Sequence, residues 1–285
     1  MAAKRIIIPI LLIMIHTTIN SQPTVGVVLS GGGALGFAHI GCLQALEEAG
    51  IYPDYVAGAS MGALVGAFYA NGMAPTEIYT MAQKEKIYKK TKLFYPSVDR
   101  VNLGLSSHKN VEKLMDKYIG HNSFDSLQKH LYVSVTNLNT QECEFIGSGN
   151  MLKEYVLASS SIPAVFESVI IDGQFYVDGG TTNNMPAQAI RDKCDILIGI
   201  DVVPPSKLDT INDFIGLSIR TMNTMTISNS KEGRVMCDYV IDCMAIEKYN
   251  NFNFEKYKEI YEIGYETMKK YIEEHPGMME AVYND

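Results

Sequence analysis

The sequence predicts an α/β fold: a three-layer α/β/α sandwich around a mainly parallel central sheet. Three observations carry that expectation. Apolar β-branched runs alternate with segments of helical period, the order that strand–helix–strand crossovers produce. Two of the runs, "TVGVVLS" (24–30) and "DILIGIDVV" (195–203), are unbroken enough to be buried strands. No proline-rich or glycine–serine linker interrupts the chain, so residues 22–285 read as one domain.

The elements follow in order. After the first strand and "GGGALG", residues 37–49 read as a helix with Ile40, Leu43, Leu46 and Ala49 on one face and Gly50 just past its end. "DYVAGAS" (54–60) is a second short strand, 61–71 a helix of small residues and 75–84 a third helix. Residues 85–109 show no period and read as a long loop, a type of segment that is usually functional or disordered. Asn110 is a candidate cap for a helix running to Ile119. "LYVSVTNL" (131–138) and "CEFIG" (143–147) make a hairpin, and a helix at about 150–159 leads into "SSSIPAVF". "FYVDGG" (175–180) is a strand end, 186–193 is helical, and a Met-rich helix occupies 209–226. A strand near 238–243 and a helix near 254–273 finish the pattern.

The first residues differ from the rest. Lys4 and Arg5 precede a nearly pure apolar run, Ile6 to Ile15, and polar residues follow to Ser21 and Gln22. That is the layout of an export signal, with residues 1–21 removed and the mature chain periplasmic or secreted. The run is too short to span a bilayer, which takes ~20 apolar residues. The net charge of −8 argues against nucleic acid as a partner, because an acidic chain repels phosphate backbones. The five cysteines show no zinc-ligand spacing. Cys237 and Cys243 flank a strand whose ~20 Å span exceeds the reach of a disulfide, so buried thiols are expected. No Asp, Glu or His cluster has metal-ligand spacing either, and neither metal nor cofactor is expected.

Two motifs carry chemistry. Gly58-Ala59-Ser60-Met61-Gly62 has the form G-x-S-x-G between a strand and a helix. There a sharp turn exposes the serine oxygen at a helix N-terminus, whose field favours a developing anion, and Gly58 and Gly62 keep side chains out of the turn. The plainer alternative is a packing turn of small residues. Gly31-Gly32-Gly33 with Gly36 opens the first helix and frees backbone N–H groups to converge on an anion. A dinucleotide pyrophosphate would also need a carboxylate at the end of the second strand. That strand ends in Ser60 instead, which favours an oxyanion hole.

A serine nucleophile needs a base. His39 lies inside a helix, His108, His121 and His130 lie in loop-like or helix-end surroundings, and His275 sits in the tail. Asp178 ends a strand and is followed by Gly179-Gly180, so its carboxylate can meet the other strand ends. Asp172, in a turn, and Asp201, at a strand end where it can cap the next turn, are rivals.

"LSGGGALGFAHIGCLQALEEAGI", "DYVAGASMGALVGAFYANGM", "ASSSIPAVFESV" and "YVDGGTTNNMP" together resemble the bacterial patatin-like phospholipase family over residues 25 to 205. The resemblance implies a patatin-like fold and a Ser–Asp dyad without histidine, acting on a phospholipid or other lipid ester. Ser60 would be the nucleophile and Asp178 the base, with Gly31, Gly32 and Gly33 as oxyanion donors. Ser30 stands where many members have Asp, and Leu35 where many have Arg or Lys, which puts headgroup preference in doubt. Neither change removes a backbone donor. An acyltransferase would share every motif, and a nucleotide-binding module would use the glycine loop alone. Lys84, Lys86, Lys89, Lys90 and Lys92 with Leu93, Phe94 and Tyr95 are candidates for a transient membrane contact, since basic residues beside apolar ones suit an anionic lipid surface, although an ordinary solvated charge run is the plainer and favoured alternative. The last ~80 residues carry no usable motif.

Overall fold

A computed structural model describes residues 22–89, 95–97, 104–205, 211 and 214–283. The signal-like segment and Lys90, Lys92, Leu93 and Phe94 lie outside the described residues.

Eight strands form one sheet: β1 (Val25–Leu29), β2 (Tyr55–Ala59), β5 (His130–Asn137), β6 (Glu142–Ile146), β7 (Val169–Ile171), β8 (Gln174–Asp178), β9 (Ile196–Asp201) and β10 (Tyr239–Asp242). Their order is β10-β9-β1-β2-β5-β8-β7, with β6 paired to β5. The first five are parallel, and β6, β7 and β8 join antiparallel. The two-residue strands β3 (Tyr95–Pro96) and β4 (Ser106–Ser107) pair with each other inside the stretch expected to be a plain loop.

Parallel strands are buried on both faces, and their alternating side chains divide two hydrophobic clusters. Val27, Leu29, Val56 and Ile198 point into the larger one. It is shared with α1 (Phe37–Glu48), α2 (Met61–Ala70) and α7 (Tyr257–Glu274). Val28, Ala57 and Leu197 point the other way, onto Met185, Ala187 and Ile190. Helix α1 is buried on nearly all sides rather than along one stripe, because α7 covers the face turned away from the sheet. The two backbones approach so closely that a Cβ at Gly41 would lie 2.1 Å from the Tyr261 carbonyl, and one at Gly264 2.1 Å from that of Ala38.

Several boundaries differ from expectation, for physical reasons. Helix α4 (Lys109–Tyr118) starts before Asn110; its N-cap is His108, which makes no cap bond because its ring is buried against Ser161 and Phe166. Residues 186–193 form two 3-10 turns, Ala187–Ala189 and Arg191–Lys193, separated at Ile190, whose φ of −133° and ψ of −1° are not helical. Helix α6 (Phe214–Met236) runs ten residues past its expected end at 226. Its continuation is polar, yet Ser230 is buried and bonded, so apolar period is the wrong signal there. β7 and a last helix, α8 (Pro276–Tyr283), were not legible; in α8 a proline starts the helix, a first-turn position that lacks a partner for N–H anyway. Helices α3 (Pro75–Lys84) and α5 (Leu152–Ser159) lie where expected.

Candidate active site

Sheet register brings the two candidate catalytic residues together. Along β5, Ser134 pairs with Ala59 of β2 and the next residue, Val135, pairs with Asp178 of β8. β6 occupies the opposite edge of β5, so β2 and β8 meet end to end along one edge. Ser60, one residue beyond β2, therefore faces Asp178 across that junction. Its Oγ donates to Asp178 Oδ2 at 2.6 Å.

The turn at Ser60 is strained, with φ 53° and ψ −124°, a conformation that costs a non-glycine residue ~1–3 kcal/mol. The surroundings impose it. A Cβ on Gly62 would sit 2.2 Å from the Leu29 carbonyl oxygen, so only glycine lets α2 start this close to β1. The Ser60 N–H donates to Ser159 Oγ at 2.9 Å, and the Asp178 N–H donates to the Ser161 carbonyl at 3.0 Å. The "SSS" segment thus braces both halves of the pair.

Asp178 is 1% exposed. Burial pushes its carboxyl pKa up to about 7, against the opposing hydrogen bonds from Ser60 and the Gly180 N–H. A base with that pKa suits proton transfer near neutral pH. Asp201 is engaged elsewhere: it accepts from the Val203 N–H at 3.0 Å and pairs with Arg234 at 2.8 Å. Asp172 lies in the β7–β8 turn with φ 50°. Among the described residues, the histidines bond or stack away from Ser60. His39 Nε2 donates to the Ser30 carbonyl at 2.7 Å, and burial lowers its pKa to about 4. His108 lies in the wall of the cleft, with Nε2 2.7 Å from Ser161 Oγ and its pKa also lowered to about 4 by burial. His121 bonds Asn71, His130 stacks on Tyr55, and His275 stacks on Tyr271.

The glycine loop lies beside Ser60, but its three amides are not equivalent. The Gly31 N–H donates to Asn184 Oδ1 at 3.1 Å. Among the described residues, the N–H groups of Gly32 and Gly33 donate to nothing, and both glycines line the cleft at Ser60. The available donors are thus two of the three expected. Gly33 has φ 56°, and a Cβ there would lie 2.4 Å from the Asn251 carbonyl oxygen. Gly36 is held close to Met61, and Gly179 close to the Ser134 carbonyl.

Asn184, in the segment that follows Asp178, carries no sign of a role in the sequence. It is 1% exposed and ties the glycine loop to the segment after Asp178. Its N–H donates to Asn229 Oδ1 at 2.9 Å, and Asn229 Nδ2 donates in turn to the Gly180 carbonyl at 2.9 Å. The carboxy-terminal residues without a motif also reach the site: Met222, Asn223 and Thr226 of α6, and Asn251, Phe252 and Phe254 beyond β10. All five cysteines are free thiols; Cys42 and Cys243, from α1 and the end of β10, lie with sulfurs 3.9 Å apart. Lys84, Lys86 and Lys89 are exposed, as is Tyr95, whose ring lies 5.0 Å from Lys109 Nζ.

The chain is 27% identical over 282 residues to the "Lysophospholipase NTE1" of Coccidioides immitis and 28% identical over 281 residues to that of Emericella nidulans. These alignments cover 88% and 87% of the chain, which spans only 18% of the length of either relative. Among solved structures, VipD from Legionella pneumophila shares the fold at a TM-score of 0.51 and 16% identity, covering 85% of this chain and 67% of that one. The model of the patatin-like phospholipase family matches residues 27–190, from β1 through Ser60 and Asp178. The chain belongs to the patatin-like phospholipase family.

Proposed function

We propose that the protein is a lipid acyl hydrolase that cleaves carboxylic esters with Ser60 as nucleophile and Asp178 as its base. The observation that carries this is the 2.6 Å hydrogen bond between them, at a strained strand-to-helix turn beside two free backbone donors. Asp178 takes the proton as Ser60 Oγ attacks the ester carbonyl, and the Gly32 and Gly33 amides hold the oxyanion, each worth about 3 kcal/mol in comparable sites. The proton passes to the departing alcohol. A water, activated by Asp178 in the same way, then releases the fatty acid from the acyl-enzyme.

Phospholipids, lysophospholipids and neutral acyl esters are the substrate class, in keeping with the lysophospholipase names of the relatives. Product analysis across these three groups tests it: free fatty acid should appear from at least one of them. Transfer of the acyl group to an added lysolipid in place of water would point to an acyltransferase; release of neither product would defeat both.

Export is part of the same proposal, supported by the basic and apolar start of the chain. The expected mature terminus lies near Gln22, and a cytosolic protein with Met1 intact would refute it. Contact with anionic lipid is proposed at the exposed Lys84, Lys86 and Lys89 and at Tyr95. Unchanged vesicle affinity after Gln replacement of these lysines would place that contact elsewhere.

A further inference from the structure

Ser60 stands where two arms of one cleft meet, and the arms differ in chemistry. One runs past Leu64, Val111, Phe166, Phe252 and Phe254. The other runs beneath α6, past Asn184, Met222, Asn223 and Thr226. Gly33, Ser60, Ile162 and Asn251 border both. Asn251 is fixed between them: its carbonyl accepts the Ala34 N–H at 2.9 Å, and its Oδ1 accepts from Asn223 Nδ2 at 3.1 Å.

We propose that the apolar arm takes the acyl chain and that the arm beneath α6 takes the glycerol unit of the leaving alcohol, with Asn223 as its specificity-determining residue. This rests on the ester-hydrolase reading above. The direction follows from proton bookkeeping. Forming the Ser60 Oγ–carbon bond moves the hydroxyl proton to Asp178. Breaking the ester C–O bond returns that proton to the leaving oxygen, so the alcohol has to depart on the side where Asp178 is exposed to the cleft. Asp178 lines the arm beneath α6 and not the apolar one. Asn223 Nδ2 and the Thr226 hydroxyl proton are used within the protein, on Asn251 Oδ1 and the Asn223 carbonyl, which leaves Asn223 Oδ1 as the side-chain acceptor for a glycerol hydroxyl. The other arm, mostly aromatic and aliphatic apart from His108 and Ser160, matches a hydrocarbon chain. Asn223 and Thr226 belong to α6, beyond the 27–190 match to the family model, so this preference is encoded outside the motifs that supply the chemistry.

The test uses three esters of one fatty acid: a monoacylglycerol, lysophosphatidylcholine and a 4-nitrophenyl ester, which has no glycerol. In Asn223→Leu, kcat/KM for both glycerol esters should fall by about tenfold or more relative to the nitrophenyl ester, as expected when a site loses a hydrogen-bonding group. Thr226→Val should shift the same ratio in the same direction. Phe252→Ala should instead change the preferred chain length within a nitrophenyl ester series and leave the ratio alone. An unchanged ratio in both α6 variants, with ester turnover retained, overturns the assignment. A loss confined to lysophosphatidylcholine also overturns it, because the arm would then recognise phosphate. Wild-type protein that cleaves none of the three esters overturns the hydrolase reading itself.

Discussion

Ser60→Ala and Asp178→Asn should each lower ester hydrolysis by on the order of thousands-fold while the protein stays folded, as members of a nucleophile–base unit do. The two losses should not add, because either change disables the same proton transfer. Substituting glutamine for His39, His108 or His275 should have a far smaller effect, since no histidine bonds Ser60 Oγ among the described residues. His108 is the most demanding control: it is buried in the cleft wall and bonds Ser161, whose carbonyl receives the Asp178 N–H. A histidine variant that is well folded by circular dichroism yet as inactive as Ser60→Ala would refute the dyad.

Activity should fall as pH drops through about 7, with roughly a tenfold loss per unit below it and so about a hundredfold deficit at pH 5. The sign follows from the base: the protonated carboxyl of Asp178 cannot accept the Ser60 proton. A pH–rate profile of kcat/KM with a soluble ester checks this, and a flat profile between pH 5 and 8 would exclude Asp178 as the base. Stability should run the opposite way. The folded-state pKa is raised above the ordinary carboxylate value near 4. The contribution is therefore fully present below about pH 4 and is lost as pH rises through about 7. Asp178→Asn should remove this part of the pH dependence of unfolding, which denaturant titrations at pH 5 and 8 would show.

Much of the site was legible because its constraints are local. Gly58 and Gly62 are required by backbone contacts within a few residues of Ser60 or with the neighbouring strand, and the strand-to-helix change around them is visible in residue type. Asp178 stood out as a strand-end carboxylate before two glycines, and the fold's alternation of strands and helices needed only apolar runs and period. Elements whose apolar pattern is overridden by tertiary contacts were misread. α6 continues through Asn229 and Ser230 because those polar residues face the Asp178 segment rather than water, and the helix at Lys109 begins early because His108 is drawn into the cleft wall.

By itself, then, the sequence determined an α/β chain with a serine at a strained turn and a carboxylate at another strand end, since both depend on neighbours in the chain. Three things were decided only by tertiary structure. The pairing of Ser60 with Asp178 depends on the register of β2 and β8 along one edge of β5, a contact between residues 118 apart. The loss of Gly31 as a free donor depends on Asn184, 153 residues away. The closure of the cleft depends on α6 and on Asn251, Phe252 and Phe254, whose sequence shows no motif because what they supply is shape and hydrogen-bonding character around the Ser60–Asp178 pair.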